Sequence, residues 1–175
     1  MPEDSPSKFT AEPFDKKKHD REAFSCEHEA LNRYIKRQAG QDIKKRVAAV
    51  FVLTTDGRTI AGYYTLSQYA VDSSSIPEET MQKLGLPKYK ELPATLLGRL
   101  ARSLACKGQG VGELVLMNAL KQALDHRQRI ASMAVVVDAK DEAAANFYRE
   151  YGFVGLPHHP NRLFLPMKTV ERMFG

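Results

Sequence analysis

Hydrophobic positions along this 175-residue chain change period several times, and each change marks an element. Residues 8–14 read as a first strand, residues 19–24 as a turn or short helical segment, and residues 27–41 as a helix with Leu31, Tyr34 and Ile35 on its apolar side. The apolar run 47–53 predicts a strand, Asp56-Gly57 a hairpin turn, and 60–71 the returning strand. A short helix over 77–84 lies in a long crossing, after which Pro87 and Pro93 feed a strand over 95–104. Residues 112–127 are amphipathic with helical period, and 133–138 form a continuous apolar run of the kind a buried strand shows. Ala144, Phe147, Tyr148 and Tyr151 then fall at i, i+3, i+4 and i+7, between an N-cap at Asp141 and a terminating Gly152. Phe153-Val154 is extended again, and 162–167 is a last strand. The order predicts an α/β chain with a mixed sheet, antiparallel at first, flanked by helices on both faces, in a single domain over 1–175.

The segment joining the strand at 95–104 to the next helix is Lys107-Gly108-Gln109-Gly110-Val111-Gly112. Three glycines in five residues permit positive φ and bring successive N–H groups into one concavity, beside the positive end of the helix beginning at the last glycine. That is an anion-binding device suited to a diphosphate. A nucleoside-triphosphate loop needs Lys and Ser/Thr after its last glycine, where this chain has Glu113 and Leu114. The dinucleotide fingerprint spaces its glycines differently. An empty glycine-rich turn is the alternative that the loop alone leaves open.

These six residues resemble the Gln/Arg-x-x-Gly-x-Gly signature with which the GNAT superfamily of N-acetyltransferases wraps the pyrophosphate of acetyl-coenzyme A, with Lys107 standing for Gln or Arg. Downstream, residues 144–153 look like the Asn-x-Tyr and Gly-Phe element of the same fold, carried here by Asn146, Tyr148, Gly152 and Phe153. The resemblance implies a mostly antiparallel sheet splayed at the cofactor site. It also implies a coenzyme site made by the backbone of Leu100, Ala101 and Arg102, by Lys107, Gly108, Gln109, Gly110, Val111 and Gly112, and by Asn146. Tyr148 falls at the position that donates a proton to the coenzyme sulfur. A phenol of pKa about 10 is protonated at neutral pH and can hydrogen-bond a departing thiolate, although full transfer to a thiol-like pKa of about 8.5 runs uphill. The period alone favours a packing role for the same tyrosine.

Charge narrows the acceptor. Between Leu31 and Arg46 stand Arg33, Lys36, Arg37, Lys44, Lys45 and Arg46 against one acid, Asp42, so this stretch holds the whole formal net charge of +5. A basic face is usually a solvated face, but this concentration favours a polyanionic partner. Within the superfamily the chain resembles the toxins of bacterial toxin–antitoxin systems that acetylate aminoacyl-tRNA. The residues that carry this likeness are 24–27, 31–39, 96–101, 146–148 and 163–166, and the chain has Arg102-Ser103 where those toxins often show Val-Asp. The likeness implies acetyl transfer from acetyl-CoA to the α-amino group of aminoacyl-tRNA, blocking translation. The six basic residues, with Arg99 nearer the pocket, would then grip the acceptor stem. It further implies a ribbon-helix-helix antitoxin and a homodimer. A GNAT enzyme acting on a small amine or a protein N-terminus is the alternative.

No general base is evident: His126 sits at a helix end, and His158 and His159 in a Pro-bounded loop. An α-amine of pKa about 7.7–8.0 is partly neutral at pH 7, whereas a lysine at about 10.4 is almost wholly charged, so the absence favours an α-amine acceptor. Cys26 and Cys106 have no metal-ligand spacing and form no disulfide framework, and no metal site is expected. A nucleophilic Cys106 lacks an evident base. No apolar run is long enough to span a bilayer, and residues 1–7 lack the character of a signal peptide, which predicts a cytoplasmic protein with no membrane partner.

Overall fold

The computed structural model describes residues 8–175; the reading of residues 1–7 lies outside them. The chain divides into two compact units. One takes residues 8–66 together with Arg99–Ala119, the other Ser67–Gly98 with Leu120–Gly175.

In the first unit, strands β1 (Thr10–Pro13), β2 (Ala49–Thr54) and the start of β3 (Gly62–Asp72) pair antiparallel in sequence order, with Glu12 opposite Val52 and Val52 opposite Tyr63. The end of β4 (Glu91–Arg102) lies next to β3. The predicted two-residue hairpin at Asp56-Gly57 is a wider loop. The Asp56 carboxylate accepts from the N–H groups of Thr59 (2.7 Å) and Arg58 (2.8 Å) and from the Thr59 hydroxyl (2.7 Å), which holds its pKa well below the usual carboxylate range. The basic helix spans α1 (Glu29–Arg33), a π-helical turn (Tyr34–Gln38) and α2 (Ala39–Lys44), starting and ending later than 27–41. Its apolar side, Leu31, Tyr34, Ile35 and Ala39, packs with Phe14, Phe24, Val50, Val52, Ile60, Tyr63 and Ala101 into one core.

In the second unit, strand order runs through the end of β3, the start of β4, β5 (Ala134–Asp138), β7 (His159–Pro166) and β6 (Val154–Leu156). β4 and β5 are parallel, and the remaining β5/β7 and β6/β7 pairs are antiparallel. The sheet is therefore mixed and mostly antiparallel. β4 starts at Glu91 rather than 95, because Leu92 and Ala94 are buried between exposed Glu91 and Pro93 in strand alternation. Registered β4/β5 pairs run from Thr95↔Val135 to Leu97↔Val137, and β4 continues five residues beyond the last of them. Helices α3 (Glu78–Leu84) and α5 (Glu142–Glu150) match expectation. The Asp141 side chain caps α5 by accepting from Ala144 N–H at 2.8 Å, and Gly152 takes φ +96° just after it. The last strand begins at His159, so His159 is a strand residue. An additional helix α6 (Met167–Phe174) follows, with Met167 and Val170 buried.

Candidate active site

After β4 the chain makes a 3-10 turn, Leu104–Cys106, started by Ser103, whose hydroxyl accepts from Ala105 N–H at 3.3 Å. Lys107 N–H donates to Leu104 carbonyl (3.1 Å) and Gln109 N–H to Cys106 carbonyl (3.2 Å), so the glycine turn is built on the 3-10 turn. Gly108 and Gly110 adopt φ +79° and +73°. Gly112 does not share that conformation, because helix α4 (Val111–His126) begins one residue earlier than the pattern indicated and takes Gly112 into its first turn. The first-turn N–H groups of a helix have no intrahelical acceptor. A Cβ built on Gly108, Gly110 or Gly112 meets nothing within 4 Å, so the backbone here borders open space. This arrangement fits a pyrophosphate: left-handed glycines, a sixteen-residue helix presenting its N-terminus, and room above both. Val111 is fully buried, so it packs beneath the turn and is not open to a ligand.

The close fit beneath this turn depends on Gly62. Its missing side chain lets Val115 of α4 and the carbonyl of Ala101 approach to 2.6 and 2.8 Å of where a Cβ would stand. Ser103 N–H donates to Ala61 carbonyl at 2.8 Å, continuing the β4 contact past Arg102. Arg102 and Lys107 both reach Glu27, at 2.8 and 3.6 Å. Glu27 opens the predicted helix over 27–41 and ends the 24–27 stretch that carries the toxin likeness, and no spacing pattern marks a partner 75 residues away.

In the same unit, Arg33, Arg37, Lys44, Lys45 and Arg46 are exposed, whereas Lys36 is half-buried. The π-helical turn inserts an i→i+5 step, which shifts the face expected from a 3.6 period. The segment's one acid is engaged by its neighbours, since Tyr34 hydroxyl and Gln38 amide each donate to Asp42 at 2.9 Å. Arg99 lies 3.7 Å above the Tyr34 ring centroid, and no carboxylate pairs with its guanidinium among the described residues. α2 ends in a Schellman motif: Val47 N–H donates to Asp42 carbonyl (3.0 Å) and Arg46 N–H to Ile43 carbonyl (3.1 Å), with Arg46 left-handed at φ +59°. Buried His19 has both ring nitrogens engaged, Nδ1 accepting from Asp15 N–H at 3.0 Å and Nε2 bonded to Glu12, so its role is structural.

In the second unit, Tyr148 is buried on the inner side of α5, its ring 5.5 Å from that of Phe147 and 5.3 Å from that of Phe153. Burial pushes its pKa well above the ordinary phenol value, which keeps the hydroxyl protonated at any physiological pH. No hydrogen bond engages that hydroxyl among the described residues. Asn146 is exposed, and its side-chain oxygen accepts from Arg149 at 3.1 Å. His126, His158 and His159 are exposed. Among the described residues Cys26 and Cys106 form no disulfide, and no group of three or more His, Cys, Asp or Glu side chains able to hold a metal occurs. No helix among them is long and apolar enough to cross a membrane.

A glycine turn between a strand end and a helix N-terminus, in a mixed and mostly antiparallel sheet, can seat the pyrophosphate of an acyl-coenzyme A, as an acyltransferase requires. Residues 14–153 match the acetyltransferase (GNAT) family, and the chain belongs to it. Over 97% of its length, and 97% of the relative's, it is 28% identical to a probable toxin TacT of Sinorhizobium fredii. AtaT complexed with acetyl-methionyl-tRNAfMet is similar at a TM-score of 0.85 and 29% identity, over 95% of this chain and 99% of that one. A tyrosine-to-phenylalanine mutant of the AtaT toxin, bound to acetyl-CoA and the C-terminus of the antitoxin AtaR, is similar at 0.81 and 25%, over 95% and 98% of the two chains.

Proposed function

We propose that this protein is a toxin that transfers the acetyl group of acetyl-CoA to the α-amino group of an aminoacyl-tRNA and thereby blocks translation. The carrying observation is that one compact unit holds both the glycine turn and a helix with five exposed cations. A small amine or a protein N-terminus makes no use of those cations, whereas a tRNA acceptor stem does. Arg33, Lys36, Arg37, Lys44, Lys45 and Arg46 would contact the phosphates, with Arg99, steadied on Tyr34, at the acceptor end. The whole-chain likeness to AtaT with its acetylated tRNA supports the same reading.

In this reading the chain acts as one catalytic domain. Backbone groups of Leu100, Ala101 and Arg102, beyond the last registered β4/β5 pair, take the pantetheine as an added strand. The N–H groups of Gly108, Gly110 and Gly112 take the pyrophosphate, beside the side chains of Lys107 and Gln109 and with Asn146 at the α5 side. The neutral α-amine attacks the thioester carbonyl carbon, and a backbone N–H of β4 stabilises the oxyanion. The carbon–sulfur bond then breaks, the sulfur is stabilised and finally protonated by Tyr148, and the proton lost by the amine returns through water to the phenol. Because burial raises the phenol pKa, its hydrogen bond to the thiolate contributes more than early proton transfer. A cytoplasmic location follows from the substrate. A ribbon-helix-helix antitoxin and a homodimer complete the proposal.

The test is incubation of wild type and Tyr148→Phe with labelled acetyl-CoA and tRNA, charged and deacylated in parallel, with peptides and polyamines as competitors. Label entering charged tRNA alone, and falling at least about a hundredfold in the variant, is the expected result. Label in peptides or polyamines would replace the acceptor and leave the acetyltransferase.

A further inference from the structure

Arg102 ends β4 and Lys107 opens the glycine turn, and these cations are two positions at which the chain departs from the patterns it otherwise follows. Both converge on one carboxylate oxygen, Glu27 Oε1, at unequal distances. The contact with Arg102 is a 2.8 Å hydrogen bond to a side chain only 21% exposed; that with Lys107 is 3.6 Å to a side chain 69% exposed.

The segment bearing Glu27 is itself tied down. Ser25 carbonyl accepts from Leu104 N–H at 2.8 Å, and Cys26 N–H donates to the buried Asn32 side chain at 2.7 Å. Glu27 therefore stands on an anchored segment, with Arg102 as its hydrogen-bonded partner and Lys107 as an exposed arm beyond hydrogen-bond distance, drawn to it by electrostatics. Rotation about its four-carbon stem can carry the Lys107 ammonium to another anion.

We infer that Glu27 is an intramolecular competitor of the coenzyme's phosphates: it holds Lys107 when the turn is empty, surrenders it when pyrophosphate binds, and so sets the affinity and salt response of the site. This inference rests on the glycine turn being the acetyl-CoA site. The exchange needs no change in Arg102, whose bond to Glu27 keeps the 25–27 segment against the start of the turn. Replacing the carboxylate by an amide of the same shape raises the local charge by one and frees Lys107. For partly exposed groups several ångströms apart, that is worth a factor of about three to ten in affinity at low ionic strength and little once the Debye length falls to a few ångströms.

The experiment is calorimetric titration of acetyl-CoA into the full chain at low and high salt, for wild type, Glu27→Gln, Lys107→Gln and the double variant, each first shown to melt cooperatively. The expected result is about three- to tenfold tighter binding by Glu27→Gln at low salt, less than about twofold at high salt. In the Lys107→Gln background the Glu27→Gln effect should shrink, because the competed cation is gone and only the direct loss of a nearby negative charge remains. Unchanged or weaker binding by Glu27→Gln at low salt overturns the inference, as does equal tightening with and without Lys107. Wild-type protein that binds no acetyl-CoA overturns the assignment of the site and the inference with it, whereas binding that ignores Glu27 overturns the inference alone.

Discussion

Replacing Gly62 by alanine isolates how closely α4 sits on β3 and β4 under the glycine turn. The added carbon would lie 2.6 Å from Val115 Cγ2 and 2.8 Å from the Ala101 carbonyl oxygen, far inside the 3.5–4.0 Å of an ordinary contact. Val115 is fully buried and can turn only by displacing other core atoms; the carbonyl belongs to strand backbone and yields only if β4 moves. Both relaxations are of the overpacking kind, about 1–3 kcal/mol, and two simultaneous clashes place Gly62→Ala near the top of that range. For a chain of this size, that lowers the melting temperature by roughly 4–12 °C. Gly112→Ala is the control. A Cβ there meets nothing within 4 Å and the residue is helical, so the protein should be as stable as wild type or up to about 1 kcal/mol more so, while acetyl-CoA binding weakens as the methyl enters the ligand's space. Urea denaturation with acetyl-CoA titration reads both. A Gly62→Ala protein with an unchanged midpoint and slope would refute the close approach.

Tyr148 is held protonated, so the pH dependence of kcat/KM should show one rising limb, set by the α-amine at about pH 7.7–8.0, and no fall through pH 10. A descending limb near the ordinary phenol pKa would show that burial does not act as described. Arg37→Glu should weaken tRNA binding at least about tenfold at low salt and reduce its salt dependence, measured by filter binding; a salt-independent loss would point to misfolding. Tyr34→Leu removes the ring under Arg99 and should raise KM for charged tRNA by about fivefold with little change in kcat, whereas Tyr34→Phe keeps the ring and should restore most of it.

Features written in local chemistry were legible. The Asp141 cap and Gly152 stop bracket α5 because both act within one turn of chain, and β5 declares itself as an uninterrupted apolar run. Helix α6 could have been read: Met167 and Val170 share a face after Pro166, which suits a helix start. β4 starts before Thr95 because alternation at Leu92 and Ala94 outweighs the missing N–H of Pro93. Three features left no periodic trace. The π-helical turn adds one residue to a repeat, Gly62 matters only for what approaches it from α4 and β4, and Glu27 acquires its role from cations 75 and 80 positions away.

Arg46 closes the basic helix in the left-handed conformation that glycine occupies most readily. Glycine there would relieve strain of about 1–2 kcal/mol and keep both hydrogen bonds of the helix end, since these use only backbone atoms. It would also delete an exposed cation from the surface proposed to meet tRNA. At this one residue the requirements of a durable fold and of a strong grip on nucleic acid point to different amino acids. A variant selected for heat resistance would be expected to drift toward glycine, and one selected for potency to retain arginine.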